Sequence, residues 1–184
     1  MPSENNWSAL PSIPKDLVLA KVLIYDRLAL ICTNPVPEIE SVEYSAHTFS
    51  IHNSSIVFRI AKITPTKTGQ FVTLWKRIGN GPIQPFDSSD DIDLVIISVR
   101  DNNHCGQFIL PKSVLVEKGI FSGNGREGKR AFRVYPSWDE ANSKQAQKTK
   151  EWQSVFFLEI PILIDKEFDI FRAKQLLVPQ NSSH

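Results

Sequence analysis

The sequence IDLVIISV (residues 92–99) decides the fold class, because it is the most apolar strand-like segment of this 184-residue chain. Valine, isoleucine and leucine occupy both sets of alternating positions, and such residues favour strands. An apolar run of this kind is typical of a strand in a sheet that is covered on both faces. We therefore predict that it is a central strand of the sheet.

Further strand-like segments lie on both sides of this run. Alternating apolar residues predict strands at 47–52, 56–63, 70–78, 107–110, 131–135 and 155–164. Asn53-Ser54-Ser55 predicts a hairpin turn between the first two strands. Pro161 indicates an edge position, or a bend, for the last strand.

Two helices and a shorter helical segment are predicted around these strands. The first helix begins at Ser12-Ile13-Pro14 and ends at Thr33-Asn34-Pro35, since serine caps helices and proline fits their first turn. Its apolar stripe consists of Leu17, Ala20, Ile24, Leu28 and Ile31. Ser137 and Glu140 have capping-box spacing and predict a helix that runs to about Gln153. One or two helical turns are predicted at 111–118.

Together these elements predict one mixed α+β (α/β) domain with a central mixed, largely antiparallel sheet flanked by helices. We expect a flexible N-terminus at 1–11, the domain at 12–178 and a frayed tail at 179–184. The length suits a single domain, and 41% hydrophobic with 22% charged residues is the composition of a soluble globular protein.

Several classes of protein are disfavoured by the sequence. No apolar run is long enough to span a bilayer, so we expect no membrane association. The N-terminal MPSENNWSALPS lacks the basic and apolar segments of a secretory signal. Two cysteines are too few for a disulfide framework. These features predict a cytoplasmic protein.

Charge is distributed unevenly along the chain although the net charge is only +1. Residues 57–150 have a balance of +6, whereas residues 1–56 have −3 and residues 151–184 have −2. A basic middle between acidic ends is the asymmetry that an anion-binding face requires.

Two stretches within this basic region interleave cations with aromatic residues. They are FRIAKITPTKTGQFVTLWKR (58–77) and GKRAFRVYPSW (128–138). Lysine and arginine neutralise phosphates and aromatic rings stack on bases, so the pattern favours nucleic acid as a partner. The candidate residues are Arg59, Lys62, Lys67, Trp75, Lys76, Arg77, Lys129, Arg130, Arg133, Tyr135 and Trp138, together with Lys144 and Lys148 of the predicted helix.

The segment GNGREG (123–128) matches the glycine pattern of dinucleotide-binding loops. That pattern has to follow a strand and open a helix, whereas this segment precedes a predicted strand. We therefore interpret it as a flexible loop that brings Arg126 and main-chain amides near a phosphate.

An acidic run, DSSDDID (87–93), raises the alternative of a metal-dependent nuclease. Asp93 begins the central strand, where such enzymes place one metal ligand, and hard cations prefer carboxylate oxygens. The second part of such a site, an acid two residues before a lysine, is missing. A site would need Glu43 as a second acid and Lys62 or Lys112 as the cation, with Mg²⁺ as cofactor only in this case.

Several long blocks in order resemble the MepB-like proteins of bacteria. The blocks include FRIAKITPTKTGQFVTLWKR, PFDSSDDIDLVIISVR, GQFILPKSVLVEKGI, GKRAFRVYPSWD and KQAQKTKEWQSVFFLEI. The resemblance implies a small cytoplasmic protein whose fold is similar to a degenerate restriction-endonuclease-like (PD-(D/E)XK) core, and it implies nucleic-acid binding. It does not supply the missing acid and lysine pair of a nuclease.

Three hypotheses follow from the sequence. The first is a non-catalytic protein, without a cofactor, that binds DNA or RNA through a basic and aromatic face. The second is a metal-dependent nuclease that uses Asp93. The third is a binding module for a protein partner or a small anion, with Arg130 and Arg133 holding a carboxylate or phosphate.

Overall fold

The computed structural model describes residues 6–163 and 167–178. Its helices are α1 (Lys15–Ala20), α2 (Lys112–Glu117), α3 (Lys144–Ser154) and α4 (Ile170–Leu177), with short helical turns at Trp7–Ala9, Lys21–Tyr25 and Val42–Tyr44. Its strands are β1 (Val36–Pro37), β2 (His47–Ile51), β3 (Ser54–Ile60), β4 (Lys62–Ile63), β5 (Gln70–Thr73), β6 (Lys76–Arg77), β7 (Ile83–Gln84), β8 (Leu94–Arg100), β9 (Cys105–Pro111), β10 (Ala131–Val134) and β11 (Phe157–Ile160).

A six-stranded sheet with the order β1-β2-β3-β8-β9-β11 forms the centre of the molecule. β3 and β8 are parallel, and the other neighbouring pairs are antiparallel. The predicted class, mixed α+β with a mixed and largely antiparallel sheet, is confirmed. β8 lies inside the sheet as predicted from IDLVIISV, and β11 lies at its edge.

Both faces of this sheet are covered, which explains why β8 has apolar residues at both sets of alternating positions. Ile96 points toward a core that also contains residues of α1 and α4. Val95 and Ile97 point toward a second core on the other face. This second face is covered by α2 and by a three-stranded sheet with the order β10-β5-β4.

The first helix is shorter than predicted. α1 continues as a helical turn to Tyr25, and Ala29 then adopts a left-handed conformation with φ of 53°. The N–H of Leu30 bonds to the Tyr25 carbonyl and that of Ala29 to the Asp26 carbonyl, which is the hydrogen-bond pattern of a Schellman cap. Ile31, expected in the helix stripe, is therefore 73% exposed.

The second helix begins later than predicted. α3 starts at Lys144, and its N-cap is Ser143, whose side chain accepts a hydrogen bond from the Ala146 N–H. The predicted capping box had placed the N-cap at Ser137, with Glu140 as its partner. Lys150 donates to the main-chain oxygens of Ser137 and Asp139, at 3.2 and 2.5 Å. These bonds hold the segment before Ser143 in a loop.

Other boundaries also differ from the predictions. The strand expected at 70–78 is divided into β5 and β6, which belong to separate sheets. The hairpin turn lies at His52 and Asn53, since Ile51 already pairs with Ser54. The helical segment at 111–118 is confirmed as α2. α4 was not predicted at all.

The N-terminal segment expected to be flexible contributes to the core from Trp7, which is 1% exposed. Residues 1–5 and the predicted frayed tail at 179–184 lie outside the described residues. No helix within 6–163 and 167–178 has the length and apolar character needed to cross a membrane.

Candidate functional site

A cleft of about 570 Å³ lies between α3 and β10, the edge strand of the three-stranded sheet. Four cationic side chains line it, namely Lys67, Lys118, Lys129 and Arg133. Among the described residues that line the cleft there is no aspartate or glutamate. We call this feature the basic cleft, and its lining gives it a positive electrostatic potential.

The cations of the basic cleft come from separate segments of the chain. Lys67 lies in the loop between β4 and β5, Lys118 follows α2, Lys129 precedes β10 and Arg133 is on β10. The opposite wall is one face of α3. The two basic stretches of the sequence thus contribute to the same cleft, Lys67 from the first, and Lys129 and Arg133 from the second.

Hydrogen bonds fix the orientation of the Arg133 guanidinium. Its Nη2 donates to Thr64 Oγ1 at 2.7 Å, and its Nη1 donates to the carbonyl oxygens of Thr68 and Gly69 at 3.2 and 3.3 Å. The Phe71 ring lies 5.8 Å from the guanidinium carbon. Arg133 is therefore already positioned before any anion binds.

Lys67 and Lys129 differ from Arg133 because they are exposed and unpaired. The side chain of neither lysine makes a hydrogen bond, ion pair or ring contact with any residue in 6–163 or 167–178. An anion that contacts either ammonium group does not have to break an internal ion pair.

Lys118 was not identified from the sequence. Its ammonium group lies 3.2 Å from a Glu117 carboxylate oxygen and 5.8 Å from the centre of the Trp152 ring. The available signal was its position at the end of the helical segment predicted at 111–118, which did not indicate which way the side chain would point.

Three half-buried aromatic rings, Phe132, Tyr135 and Trp152, also line the basic cleft. The Tyr135 ring packs against Gly69, where an added Cβ would lie 2.7 Å from Tyr135 Cε1. Gly69 has a φ of 72°, a conformation that glycine adopts readily. This glycine therefore allows both the loop turn and the close approach of Tyr135.

Gln153 holds α3 against the edge of the small sheet. Its Nε2 donates to the Arg133 carbonyl at 2.9 Å, and its Oε1 accepts from the Tyr135 N–H at 2.9 Å. The side chain is fully buried. It satisfies main-chain groups at the unpaired edge of β10 as a neighbouring strand would.

A row of side chains extends from the basic cleft across the small sheet. Arg133 pairs in register with Phe71, and Phe71 pairs with Lys62, so the three side chains share one face. The Lys62 ammonium lies 4.5 Å from the centre of the Tyr44 ring. Lys62 is exposed.

Arg59, in contrast, is a residue of the protein interior. It is 1% exposed, pairs with the Glu38 carboxylate and donates to the Phe58 carbonyl at 2.9 Å. Burial lowers the pKa of Arg59, and the charge of Glu38 opposes this effect. The expected role of Arg59 in binding phosphate requires an exposed guanidinium, so we leave it out of the proposed surface.

Lys76 is also engaged inside the protein. Its ammonium lies 2.7 Å from Asp87 Oδ2 and 2.7 Å from Asp90 Oδ2. Partial burial lowers the pKa of Lys76, but the hydrogen bonds and charges of the two aspartates outweigh it and raise the pKa overall. Two carboxylates already neutralise Lys76, so it is not a phosphate ligand in this arrangement.

The remaining arginine candidates, Arg77, Arg126 and Arg130, form ion pairs or hydrogen bonds with other residues at the protein surface. Arg77 pairs with Glu40 at 2.7 Å and lies over the half-buried Trp75 ring. Arg126 donates to the Glu117 carbonyl at 2.8 Å, and Arg130 lies 3.1 Å from Glu127. Arg77, Arg126, Arg130 and Trp75 do not line the basic cleft.

Trp138, Lys144 and Lys148 also lie outside the lining of the basic cleft. The Trp138 ring stacks on His104 at 4.8 Å and makes an edge contact with Phe157. Lys144 and Lys148 are exposed on α3, one position away from the residues of that helix that line the cleft. Trp138 is thus a packing residue, and the two lysines add positive charge beside the cleft.

Two of the residues named for the nuclease alternative, Asp93 and Lys112, make hydrogen bonds within the protein. Asp93 accepts a hydrogen bond from the Ser55 N–H at 2.7 Å, and Lys112 Nζ donates to the Asp90 carbonyl at 3.0 Å. Glu43 lies on the helical turn Val42–Tyr44. Over residues 6–163 and 167–178, no group of three or more His, Cys, Asp or Glu side chains could hold a metal ion.

This chain thus has a mixed α+β fold with a basic cleft. Comparison with known proteins places it in a family. A family model described as MepB-like matches residues 38–159, and the chain belongs to the MepB-like family. All residues that line the basic cleft fall within the matched region.

A solved structure described as the crystal structure of MepB is similar to this chain. The two share 35% sequence identity with a TM-score of 0.70, over 84% of this chain and 99% of that one. No curated protein matches the chain. The restriction-endonuclease-like core that the sequence resemblance implies stays a prediction.

Proposed function

We propose that this MepB-like protein is a non-catalytic nucleic-acid-binding protein that holds phosphate groups in the basic cleft. The observation that carries this proposal is the lining of the cleft by four cations and no described carboxylate. Lys67 and Lys129 are exposed and unpaired with described residues, while Arg133 is already oriented. When such cations neutralise the phosphates of a nucleic acid, the counterions condensed on that nucleic acid are released, and this release favours binding.

The row formed by Arg133, Phe71 and Lys62 supports a binding face longer than the cleft itself. Arg133 belongs to both features, so a polyanion that occupies the cleft can continue across the small sheet toward Lys62. Lys144 and Lys148 extend the positive charge on the other side. The cytoplasm remains the expected compartment, since DNA and RNA are present there.

The proposal is tested by fluorescence-anisotropy titration of labelled oligonucleotides at several salt concentrations. We expect affinity to fall steeply as salt rises, and each of Lys67→Glu and Lys129→Glu to weaken binding and reduce the salt slope by about one. Lys15→Glu is the matched control, because Lys15 is an exposed lysine on α1, which packs on the opposite face of the large sheet. Absence of binding at low salt, or equal losses in all three variants, would overturn the proposal.

A second candidate function is the binding of a small anion. The cleft volume of about 570 Å³ falls within the range of small-molecule sites, about 300–1,000 Å³. Arg133 with Lys67 and Lys129 would hold such an anion, whereas Arg130, expected to share this role, does not line the cleft. If inorganic pyrophosphate binds as tightly as an oligonucleotide, and lengthening the oligonucleotide adds nothing, this candidate replaces the first.

A further inference from the structure

The aromatic rings of the basic cleft distinguish it from a simple phosphate-binding patch. Phe132, Tyr135 and Trp152 are half-buried, whereas Lys67 and Lys129 are exposed. These two lysines are therefore more exposed than the rings, whereas Arg133 is half-buried as the rings are. A ligand that satisfies both has its negative charge near the surface and an apolar, flat group further inside.

We infer that the basic cleft takes a single-stranded nucleic acid and encloses one of its bases against these rings, with the phosphates on Lys67 and Lys129. This inference rests on the proposed function and adds the form of nucleic acid. Base stacking on aromatic side chains is the common mode of single-strand binding, and it tolerates any base because every base has a flat π-face.

A duplex does not suit the same arrangement. Its bases stack on each other and present only their edges in the grooves, so the faces that could stack on Tyr135 or Trp152 are covered. The cleft also has the volume of a site for one drug-sized molecule, and a single nucleotide is of that size. A duplex could contact the exposed lysines but would leave the aromatic wall unused.

The test measures how tightly four probes bind the wild-type protein at one salt concentration. They are a short labelled single strand, an abasic strand with the same number of phosphates, a blunt duplex of the same sequence, and a nucleoside monophosphate as competitor. We expect the base-containing strand to bind about 5- to 150-fold more tightly than the abasic strand, which is the range for one stacked base. We also expect it to bind more tightly than the duplex.

Two variants locate the effect in the cleft. Tyr135→Leu and Trp152→Leu should each weaken binding of the base-containing strand and leave the abasic strand unchanged, after thermal melting has shown that the variant is folded. Trp75→Leu is the control, since Trp75 is half-buried on the surface but does not line the cleft.

The outcomes separate this inference from the function on which it rests. If abasic strand, duplex and base-containing strand bind equally and with the same salt dependence, the protein binds phosphate but the single-strand inference is wrong. If the monophosphate displaces the strand at similar concentrations, the ligand is a free nucleotide and the inference is again overturned. If no probe binds at low salt, both the function and the inference fail.

Discussion

The Gln153 side chain accepts a hydrogen bond from the Tyr135 N–H at 2.9 Å, and this buried contact ties α3 to the segment that ends β10. The same side chain donates to the Arg133 carbonyl. Arg133 and Tyr135 line the basic cleft on one side and α3 lines it on the other. One glutamine therefore connects the two walls of the cleft.

Replacing Gln153 with alanine should destabilise the protein and weaken ligand binding. The change leaves one main-chain N–H and one carbonyl without partners at a buried site, which costs about 2–4 kcal/mol of unfolding free energy. Urea unfolding followed by circular dichroism measures this loss.

Gln145→Ala is the matched control for the stability part of this prediction only, because Gln145 is an exposed glutamine on the same helix but also lines the basic cleft. Its free energy of unfolding should stay within about 0.5 kcal/mol of the wild type. Equal stability of the two variants would show that Gln153 does not hold α3 in place.

The central part of the fold could be predicted from the sequence because its signal is local. Apolar residues occupy both sets of alternating positions in 92–99, and such a segment requires cover on both faces, whatever the rest of the chain does. The end of the first helix could not be predicted in this way, because Ala29 adopts the left-handed conformation that glycine usually adopts after a helix. The start of α3 could not be predicted either, because Lys150, which lies within the helix, donates hydrogen bonds to the loop before Ser143.

The candidate site could be predicted only in part, for a related reason. Lys67, Lys129 and Arg133 were identified from composition, and the fold brings them to one cleft. Arg59 and Lys76 look the same in the sequence, but their partners lie 21 residues before Arg59 and 11 and 14 residues after Lys76. No local pattern indicates such pairs.

Gly69 offers a second prediction, about the shape of the cleft. Gly69→Ala places a Cβ 2.7 Å from the Tyr135 ring and forces alanine into a left-handed conformation. Gly125 has a similar φ of 74° with nothing within 4 Å of an added Cβ. Gly125→Ala should therefore cost about 1–2 kcal/mol, the conformational cost alone, and Gly69→Ala should cost more.

Only Gly69→Ala should also weaken ligand binding, because it displaces Tyr135 from the cleft. Thermal unfolding and anisotropy titration of both variants measure the two effects. Equal costs for the two glycines would indicate that the Tyr135 ring moves aside freely.

Glu38 provides a third prediction, about the buried Arg59. Glu38→Ala leaves an uncompensated cation in the protein interior and should lower the free energy of unfolding by about 3 kcal/mol. Glu40→Ala removes the partner of Arg77 at a more exposed position and should cost about 0–1 kcal/mol. Chemical denaturation of the two variants makes the comparison, and equal costs would contradict the structural role of Arg59.

The fourth prediction concerns acid stability and the ion pair between Lys76 and Asp87. Hydrogen bonds from Lys76 and then Ser89 lower the pKa of Asp87 from 3.8 to about 2. Because the pKa is lower in the folded protein, the ionised carboxylate stabilises the fold above about pH 4, and this contribution is lost as the pH falls toward about 2. Asp87→Asn should therefore lower the melting temperature at neutral pH and reduce its dependence on pH across this window.

Asp91→Asn is the control for Asp87, since it makes the same change in the same loop. Asp91 is exposed and has no hydrogen bond or ion pair with residues in the described ranges. Its melting temperature should follow the wild-type curve between about pH 4 and pH 2, whereas that of Asp87→Asn should approach the wild-type value only at the acidic end. Parallel curves for Asp87→Asn and the wild type would mean that the ion pair between Lys76 and Asp87 contributes nothing to stability.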